Sequence, residues 1–340
     1  MKSIIEIQKQ LLPDLLEIMQ KRYQILQSIR FLQPVGRRSL AGTLGLTERV
    51  LRSEVDFLKK QDLIDIKTAG MSVTAEGQSL LMQLQDMMRE ISGLNIMEKA
   101  LEEQLRLQKV VVVPGDSDES PWIKEELGRA TASSMKERLI GNNIIAVTGG
   151  TTMAAVAEML TPNFSEKEIL FVPARGGIGE DVKNQANTIC AQMAEITGAK
   201  HRVLYVPDQV SKEVYHSLMK EPDIREVMTL ITSANIVLHG IGDAMTMARR
   251  RKTSEEDIRK ISSNEAVGEA FGYYFNEQGE VVHKVPTIGL QLHDLSDIPN
   301  VFAVAGGTSK AKGIRSYLKS APSKTVLITD EGAATELLKG

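Results

Sequence analysis

The sequence predicts a mixed α/β chain in two unlike parts. An N-terminal winged helix-turn-helix is joined by a long helix to a mostly parallel, doubly wound α/β domain. Three observations predict this. Short helical stripes broken at Pro34 and Gly45 fill the first seventy-five positions and end in a small hairpin. A helical periodicity then runs from Ala75 to about Leu107. From Lys109 onward, uniformly apolar runs alternate with helical stretches, as expected of strands covered on both faces. The expected domains are therefore 1–75, a helical linker at 76–108 suited to dimerisation, and a body at 109–340.

In the first part, Ile25, Leu26, Ile29 and Leu32 form a stripe that stops at Pro34. "RRSLAGTLG" is a second short helix closing at Gly45, and Thr47 caps a third, "ERVLRSEVDFLKK". "LIDIK" and "MSVT" make a hairpin turning at Gly70. On the third helix, Val50, Leu51, Val55, Phe57 and Leu58 fall on one face to be buried, with Arg49, Arg52, Ser53 and Asp56 opposite. Arg49 and Arg52 occupy the early turns, where a recognition helix reaches base edges in the major groove of double-stranded DNA. Thr47 and Ser53 are expected beside them. Arg37, Arg38, Lys67 and Lys60 are expected as phosphate contacts, which position without specifying. The alternative is a solvated face with Arg52 paired to Asp56.

The helical stretch after Ala75 is interrupted by Gly93, a candidate joint, and its apolar stripe is suited to pairing with a second copy on a two-fold DNA site. Seven strands are expected in the body: 109–116, 143–150, 169–177, 201–208, 235–243, 301–310 and 325–334. "GEVVHKVPTIGLQL" breaks the rhythm and reads as an antiparallel hairpin.

Composition narrows the function. The net charge of −3 conceals a gradient: residues 1–70 hold 12 Lys/Arg against 8 Asp/Glu, so a basic head precedes an acidic body. That limits a polyanion partner to the head. Aromatic residues are 4% of the chain, too few for a stacking platform for single strands. Cys190 is the one cysteine, which excludes an internal disulfide framework and fits a reducing compartment. The histidines, His239, His283 and His293 among them, show no metal-ligand spacing, so neither metal nor cofactor is expected. No apolar run is long enough for a membrane span, and the chain is expected to be cytoplasmic.

Ligands of such folds sit beyond the carboxyl ends of the strands, where this sequence concentrates its glycines. "AVTGGTT" places Gly149, Gly150, Thr151 and Thr152 between a strand and a helix start, a suitable cradle for a phosphate. "AVAGGTSK" repeats the strand-then-glycine turn and ends in Lys310. Arg175 follows a third strand and could instead pair with Glu180 or Asp181. Arg249, Arg250 and Arg251 form a basic cluster that could point inward or to solvent. Glu269, Gln185 and Asn187 are candidate partners for sugar hydroxyls. Neither a Walker A motif nor a G-x-G-x-x-G fingerprint is present, which argues against a nucleotide.

"VTGGTT", "PARGG", "NQANTICAQMAE", "EAFGYYFN", "AVAGG" and "TDEGAA" together resemble the SorC/DeoR-type bacterial transcriptional regulators, over essentially the whole chain. The resemblance implies a body similar to phosphosugar isomerases that senses rather than catalyses. It implies repression of glycolytic genes, relieved when fructose 1,6-bisphosphate or a related phosphosugar weakens cooperative assembly on operator DNA. It implies a homo-oligomer, dimer or tetramer on DNA. The effector contacts it implies are Gly149, Gly150, Thr151, Thr152, Arg175, Gln185, Arg250, Glu269 and Lys310; the resemblance, rather than spacing, selects Arg250 from its neighbours. An additional helix at residues 2–20 departs from the short N-terminus of the wider family. The rival reading is a phosphosugar isomerase with an appended DNA-binding piece, using Glu269 or Asp243 as base and Lys310 to steady an enediolate. A protein-binding adaptor is a third.

Overall fold

A computed structural model describes residues 10–164, 167–177, 181–207 and 209–339. The chain forms two compact units, 1–95 and 96–340.

The first unit runs α1 (Pro13–Leu32), α2 (Arg37–Thr43), α3 (Glu48–Lys60), β1 (Ile64–Lys67), β2 (Gly70–Val73) and α4 (Ala75–Ile91). Helix α1 is continuous through positions 13–20, so these do not form a separate helix, and residues 2–9 lie outside the described residues. Ile25, Leu26 and Ile29 of α1 pack with Leu40, Leu51, Val55, Leu58, Ile64 and Met71 in one core. Thr47 caps α3 by accepting from the Val50 N–H, and β1 pairs antiparallel with β2, Lys67 opposite Gly70. Gly70 has φ +138°, and a Cβ there would lie 2.8 Å from the Val35 nitrogen, so its freedom is needed where the hairpin meets the chain after α1.

The buried face of α3 differs from the expected one. Leu51, Val55 and Leu58 are buried, but Val50 and Phe57 are 39% and 36% exposed. Glu54 takes the missing place, buried with Lys21 and Arg22 at 2.7 and 2.8 Å from its carboxylate. The projected arc was too wide for a helix this short, and a paired carboxylate fills its centre. Phe57 sits on the rim, with the Arg22 guanidinium 3.5 Å from its ring centroid.

The expected long helix is two helices, α4 and α5 (Leu94–Leu105), with Gly93 at φ +73° between them. In the second unit, the body then runs β3 (Lys109–Val113), α6 (Ile123–Lys136), β4 (Asn142–Val147), α7 (Thr151–Glu158), β5 (Glu168–Pro173), α8 (Ala186–Thr197) and β6 (Lys200–His201). It continues with α9 (Lys212–Leu218), α10 (Pro222–Thr232), β7 (Ile236–Gly240), β8 (Gly242–Asp243), α11 (Ala244–Arg250) and α12 (Glu255–Ser263). The last elements are β9 (Ala266–Ala270), β10 (Tyr273–Asn276), β11 (Val281–Lys284), β12 (Asn300–Val304), α13 (Ala311–Leu318), β13 (Val326–Asp330) and α14 (Glu331–Leu338).

Seven strands form an all-parallel sheet in the order β3-β13-β12-β7-β4-β5-β6. Chain order reverses between β4 and β7, which opens a crevice at their carboxyl ends. Helices α6, α7 and α8 bury Leu127, Met135, Met153, Val156, Ile189 and Met193 against Ile145, Phe171, Leu238 and Phe302 of the sheet. On the outer edge, the N–H groups of Val110 and Val112 in β3 donate to Glu102 and Glu98 of α5 at 3.0 and 2.7 Å, so two carboxylates cover an otherwise open strand edge.

Two expectations about strands need correction. The fourth apolar run is a strand only at Lys200–His201; Arg202–Val206 is irregular, Asn187 of α8 taking the Leu204 backbone in both directions at 2.9 and 3.1 Å, before Pro207 bridges in parallel to Gly177. Residues 279–292 are not a hairpin in themselves. They supply β11 to a second, antiparallel sheet, β11-β10-β9-β8, the remainder crossing back to the main sheet at Arg175. Gly268 of β9 meets Gly313 of α13 so closely that a Cβ on either would come within 3.1 Å of the other's Cα, which lets this small sheet lie on the body.

Among the described residues no helix is long and apolar enough to cross a membrane.

Candidate effector cavity and nucleic-acid face

One cavity sits at the crevice between β4 and β7. The turn Gly149–Thr152, Arg175, Gln185, Arg250, Glu269 and Lys310 all line it, although they come from six separate stretches of chain. Gly240–Gly242 and Phe271 close its sides.

The first glycine turn is built to leave backbone open at the start of α7. Gly150 has φ +124°, and its N–H donates to the Asn184 carbonyl at 2.9 Å. A Cβ on Gly149 would lie 2.6 Å from that same oxygen. The chain is thereby pinned, and Thr151 and Thr152, the first positions of α7, line the cavity, where the unsatisfied N–H groups of a helix terminus favour an anion.

Arg175 is fixed by its backbone. The Gly176 N–H donates to Ile288 and the Leu290 N–H to Ala174, and Gly289, at φ +131°, has no room for a Cβ against Ala174 and Arg175. Of the two partners weighed for Arg175, the Asp181 carboxylate accepts from the Lys183 N–H and the Asn184 amide, and Glu180 lies outside the described residues. The Glu269 carboxylate lies 3.7 Å from an Nη of Arg175.

Glu269 and the arginine cluster are where folding decided most. Arg249 is exposed, while Arg250 and Arg251 both line the cavity, and Arg251 is buried, 2.9 Å from Glu269 and 3.1 Å from the Tyr274 hydroxyl. Arg251 was not singled out from the run, and no periodicity marks it; only the pairing of Glu269 with Tyr274 across β9 and β10 brings its partners together. Asn187 holds the Leu204 backbone rather than facing the cavity.

The second glycine turn differs from the first. The N–H of Gly307 donates to Asp330 at 2.8 Å and that of Ser309 to Asp118 at 2.7 Å, while the N–H and hydroxyl of Thr308 both go to Asp116. Burial disfavours the charged form of Asp116, but the Thr308 and Asp118 hydrogen bonds outweigh it and hold its carboxyl below the usual range. The turn's backbone is spent on carboxylates, and it contributes Lys310 alone to the cavity. Burial lowers the Lys310 amine below an ordinary lysine, as do the charges of Lys124 and Arg250, against the opposing pull of Asp118 and Asp330. The enzyme reading also loses its bases: Glu269 is committed to guanidiniums, and Asp243 caps α11 through the Thr246 N–H.

In the first unit, Arg49, Arg52 and Ser53 lie exposed on one side of α3, beside the exposed Thr47 at its cap. Arg52 and Asp56 form no ion pair, in place of the one allowed as an alternative. Arg37 and Arg38 stand exposed on α2, with Arg38 3.0 Å from Glu48, and Lys67 is exposed on the hairpin.

The comparisons with known proteins fall into place on this geometry. Residues 89–339 match the family model described as "Putative sugar-binding domain", and residues 18–88 match the CggR N-terminal DNA binding domain. The chain is 61% identical to the central glycolytic genes regulator of Priestia megaterium over 100% of this chain and 99% of that one. The chain belongs to this family of transcriptional regulators. The corresponding regulator of Bacillus subtilis is 58% identical over 100% of this chain and 99% of that one. A solved SorC-family regulator structure from Enterococcus faecalis is 51% identical, with a TM-score of 0.68 over 71% of this chain and 99% of that one. The regulator is thus a two-part protein with a DNA-binding head and a sugar-binding body, and not an enzyme.

Proposed function

We propose that the regulator represses glycolytic genes by binding double-stranded operator DNA as a homo-oligomer, and that fructose 1,6-bisphosphate or a related phosphosugar in the body cavity modulates DNA binding and assembly. The observation that carries the effector reading is the convergence of a helix-terminus turn, Arg175, Arg250 and Lys310 on one cavity. A sugar bisphosphate needs two anion sites, and the turn at Gly149–Thr152 supplies one. The second rests on side chains, Arg175, Arg250 and Lys310, since the other glycine turn is occupied by Asp116, Asp118 and Asp330. In the head, Arg49 and Arg52 read base edges while Arg37, Arg38 and Lys67 engage phosphates.

The test is binding of the full chain to upstream DNA of glycolytic operons, titrated with fructose 1,6-bisphosphate while assembly is followed by sedimentation. Loss of cooperative DNA binding at unchanged secondary structure is the expected result. DNA binding and assembly unaltered through millimolar ligand would overturn it.

A further inference from the structure

The hairpin that joins β9 to β10 breaks a local rule. Ala270 pairs with Tyr273, so Phe271 and Gly272 are its two turn residues, at φ +54° and +84°. Positive φ at both positions is the pattern of the tight hairpin turn that favours Asn-Gly, since those residues enter the left-handed region at least cost. The glycine is present and the asparagine is not. A phenylalanine holds the first position, and for so bulky a side chain that conformation is strained. Strain of this kind persists where the surroundings impose it, and the place of the ring supplies a reason.

Phe271 is buried and lines the cavity, the one aromatic side chain among the described residues that do. Its ring lies 4.9 Å from that of His239, which is itself buried and hydrogen-bonded through both nitrogens, so the phenyl group rests on a fixed neighbour. Ile241 and Met247 add aliphatic surface to the same cavity. The turn at Gly149–Thr152 and the cations suit phosphate groups, and Glu269 suits hydroxyls. None of these meets the carbon skeleton between the phosphates. The electron-rich face of an aromatic ring does, because it favours the polarised C–H groups of a sugar. The same turn also serves the polar side, since the Gly272 N–H donates to Glu269 Oε1.

We propose that Phe271 is a specificity-determining residue, its ring forming the apolar wall on which the carbon skeleton of a phosphosugar rests, so that the cavity prefers a sugar phosphate to free phosphate. The proposal rests on the reading of the cavity as a phosphosugar site. Asparagine at position 271 would ease the turn and give up the wall.

The experiment is calorimetric titration of the full chain with fructose 1,6-bisphosphate at several temperatures, with inorganic phosphate measured by its competition against that ligand. Phe271→Asn suits the turn and removes the ring. It is expected to weaken fructose 1,6-bisphosphate by about tenfold, to leave inorganic phosphate unchanged, and to make the heat-capacity change of binding less negative, since less apolar surface is buried. An equal loss for both ligands would mean that the substitution disturbed the anion sites through the turn, and it overturns the proposal. Unchanged affinity for fructose 1,6-bisphosphate overturns it too, as does a loss with an unaltered heat-capacity change. Where phosphate competes too weakly to measure, the heat-capacity change decides. Should Phe271→Asn lose its cooperative melting, Phe271→Leu carries the test: it keeps an apolar side chain without the ring and is expected to weaken fructose 1,6-bisphosphate about threefold, with unchanged affinity counting against. If the folded parent chain does not bind fructose 1,6-bisphosphate, the phosphosugar reading falls, and this inference with it; a parent chain that binds while the variants lose both ligands alike, or neither, removes this inference alone.

Discussion

The Tyr317 hydroxyl donates to Nε2 of His239 across 2.9 Å, and Nδ1 of His239 faces the Gly240 carbonyl at 3.1 Å. The carbonyl can only accept, so Nδ1 carries a proton, and burial keeps the ring neutral, which leaves Nε2 to accept from the Tyr317 hydroxyl. His239 is fully buried, its ring 4.9 Å from that of Phe271, and it steadies the end of β7 where Gly240 joins the cavity wall.

Burial lowers the His239 pKa to about 4, against 6.5 in the unfolded chain. Between those values the unfolded state takes a proton that the folded state refuses. The stability present above pH 6.5 is therefore lost as pH falls toward 4, by about 3 kcal/mol at most. Melting temperature should decline through that window in the parent chain, and less steeply in His239→Gln. Parallel slopes would exclude His239 as the cause.

Glycine at 149 and 150 is required for different reasons. Gly150→Ala puts a Cβ at φ +124° with open space around it, so its cost is strain alone, about 1–3 kcal/mol. Gly149→Ala drives a Cβ to 2.6 Å from the Asn184 carbonyl and should also displace the turn. Both should lower melting temperature, and Gly149→Ala should additionally abolish stabilisation by phosphosugar in a thermal-shift assay.

Burial and the like charges of Lys124 and Arg250 outweigh the pull of Asp118 and Asp330 on Lys310, so its removal separates ligand affinity from stability. Lys310→Ala removes a charge that the folded site disfavours on balance and should leave melting temperature unchanged or raised. Phosphosugar affinity should fall about tenfold. Arg175→Ala should show a comparable loss of affinity. Full affinity in both variants would place the anions elsewhere.

Glu98 covers the open edge of the parallel sheet. Glu98→Ala leaves the Val112 N–H without its acceptor at a buried position and should cost about 1–3 kcal/mol in denaturant unfolding. Glu98→Gln keeps an oxygen at that place and should cost less.

The head residues divide by their role on DNA. Arg52→Ala should cost about 1–3 kcal/mol on a specific site and relax discrimination there. Lys67→Ala should weaken all duplexes alike and reduce the salt dependence of binding by about one ion. If both variants changed only the salt slope, α3 would not be reading bases.

Local signals carried a large part of this protein. The stripe of Ile25, Leu26 and Ile29, the Thr47 cap and the joint at Gly93 were legible because helix periodicity and capping act within a few residues. The parallel strands were legible because burial on both faces leaves them uniformly apolar. The small antiparallel sheet was not, since β8 is two residues long and β9 is interrupted by glycine and glutamate. Val50 and Phe57 were misplaced because the periodicity of α3 allowed a paired Glu54 to stand where an apolar residue was expected.

The cavity divides along the same line. The sequence by itself determined that glycine turns end the apolar strands and that cations cluster near them, because turn chemistry is local. That Arg250 and Arg251 reach the cavity while Arg249 stays exposed was settled only by tertiary structure, through the layering of the two sheets that sets Glu269 and Tyr274 around Arg251. The two glycine turns, alike in sequence, were also separated only there. In the first the Asn184 carbonyl takes the Gly150 N–H, and in the second three aspartates brought from residues 116, 118 and 330 take the N–H groups of Gly307, Thr308 and Ser309. A backbone N–H is available to a ligand only where no acceptor has been folded against it, and that depends on residues far away in the chain.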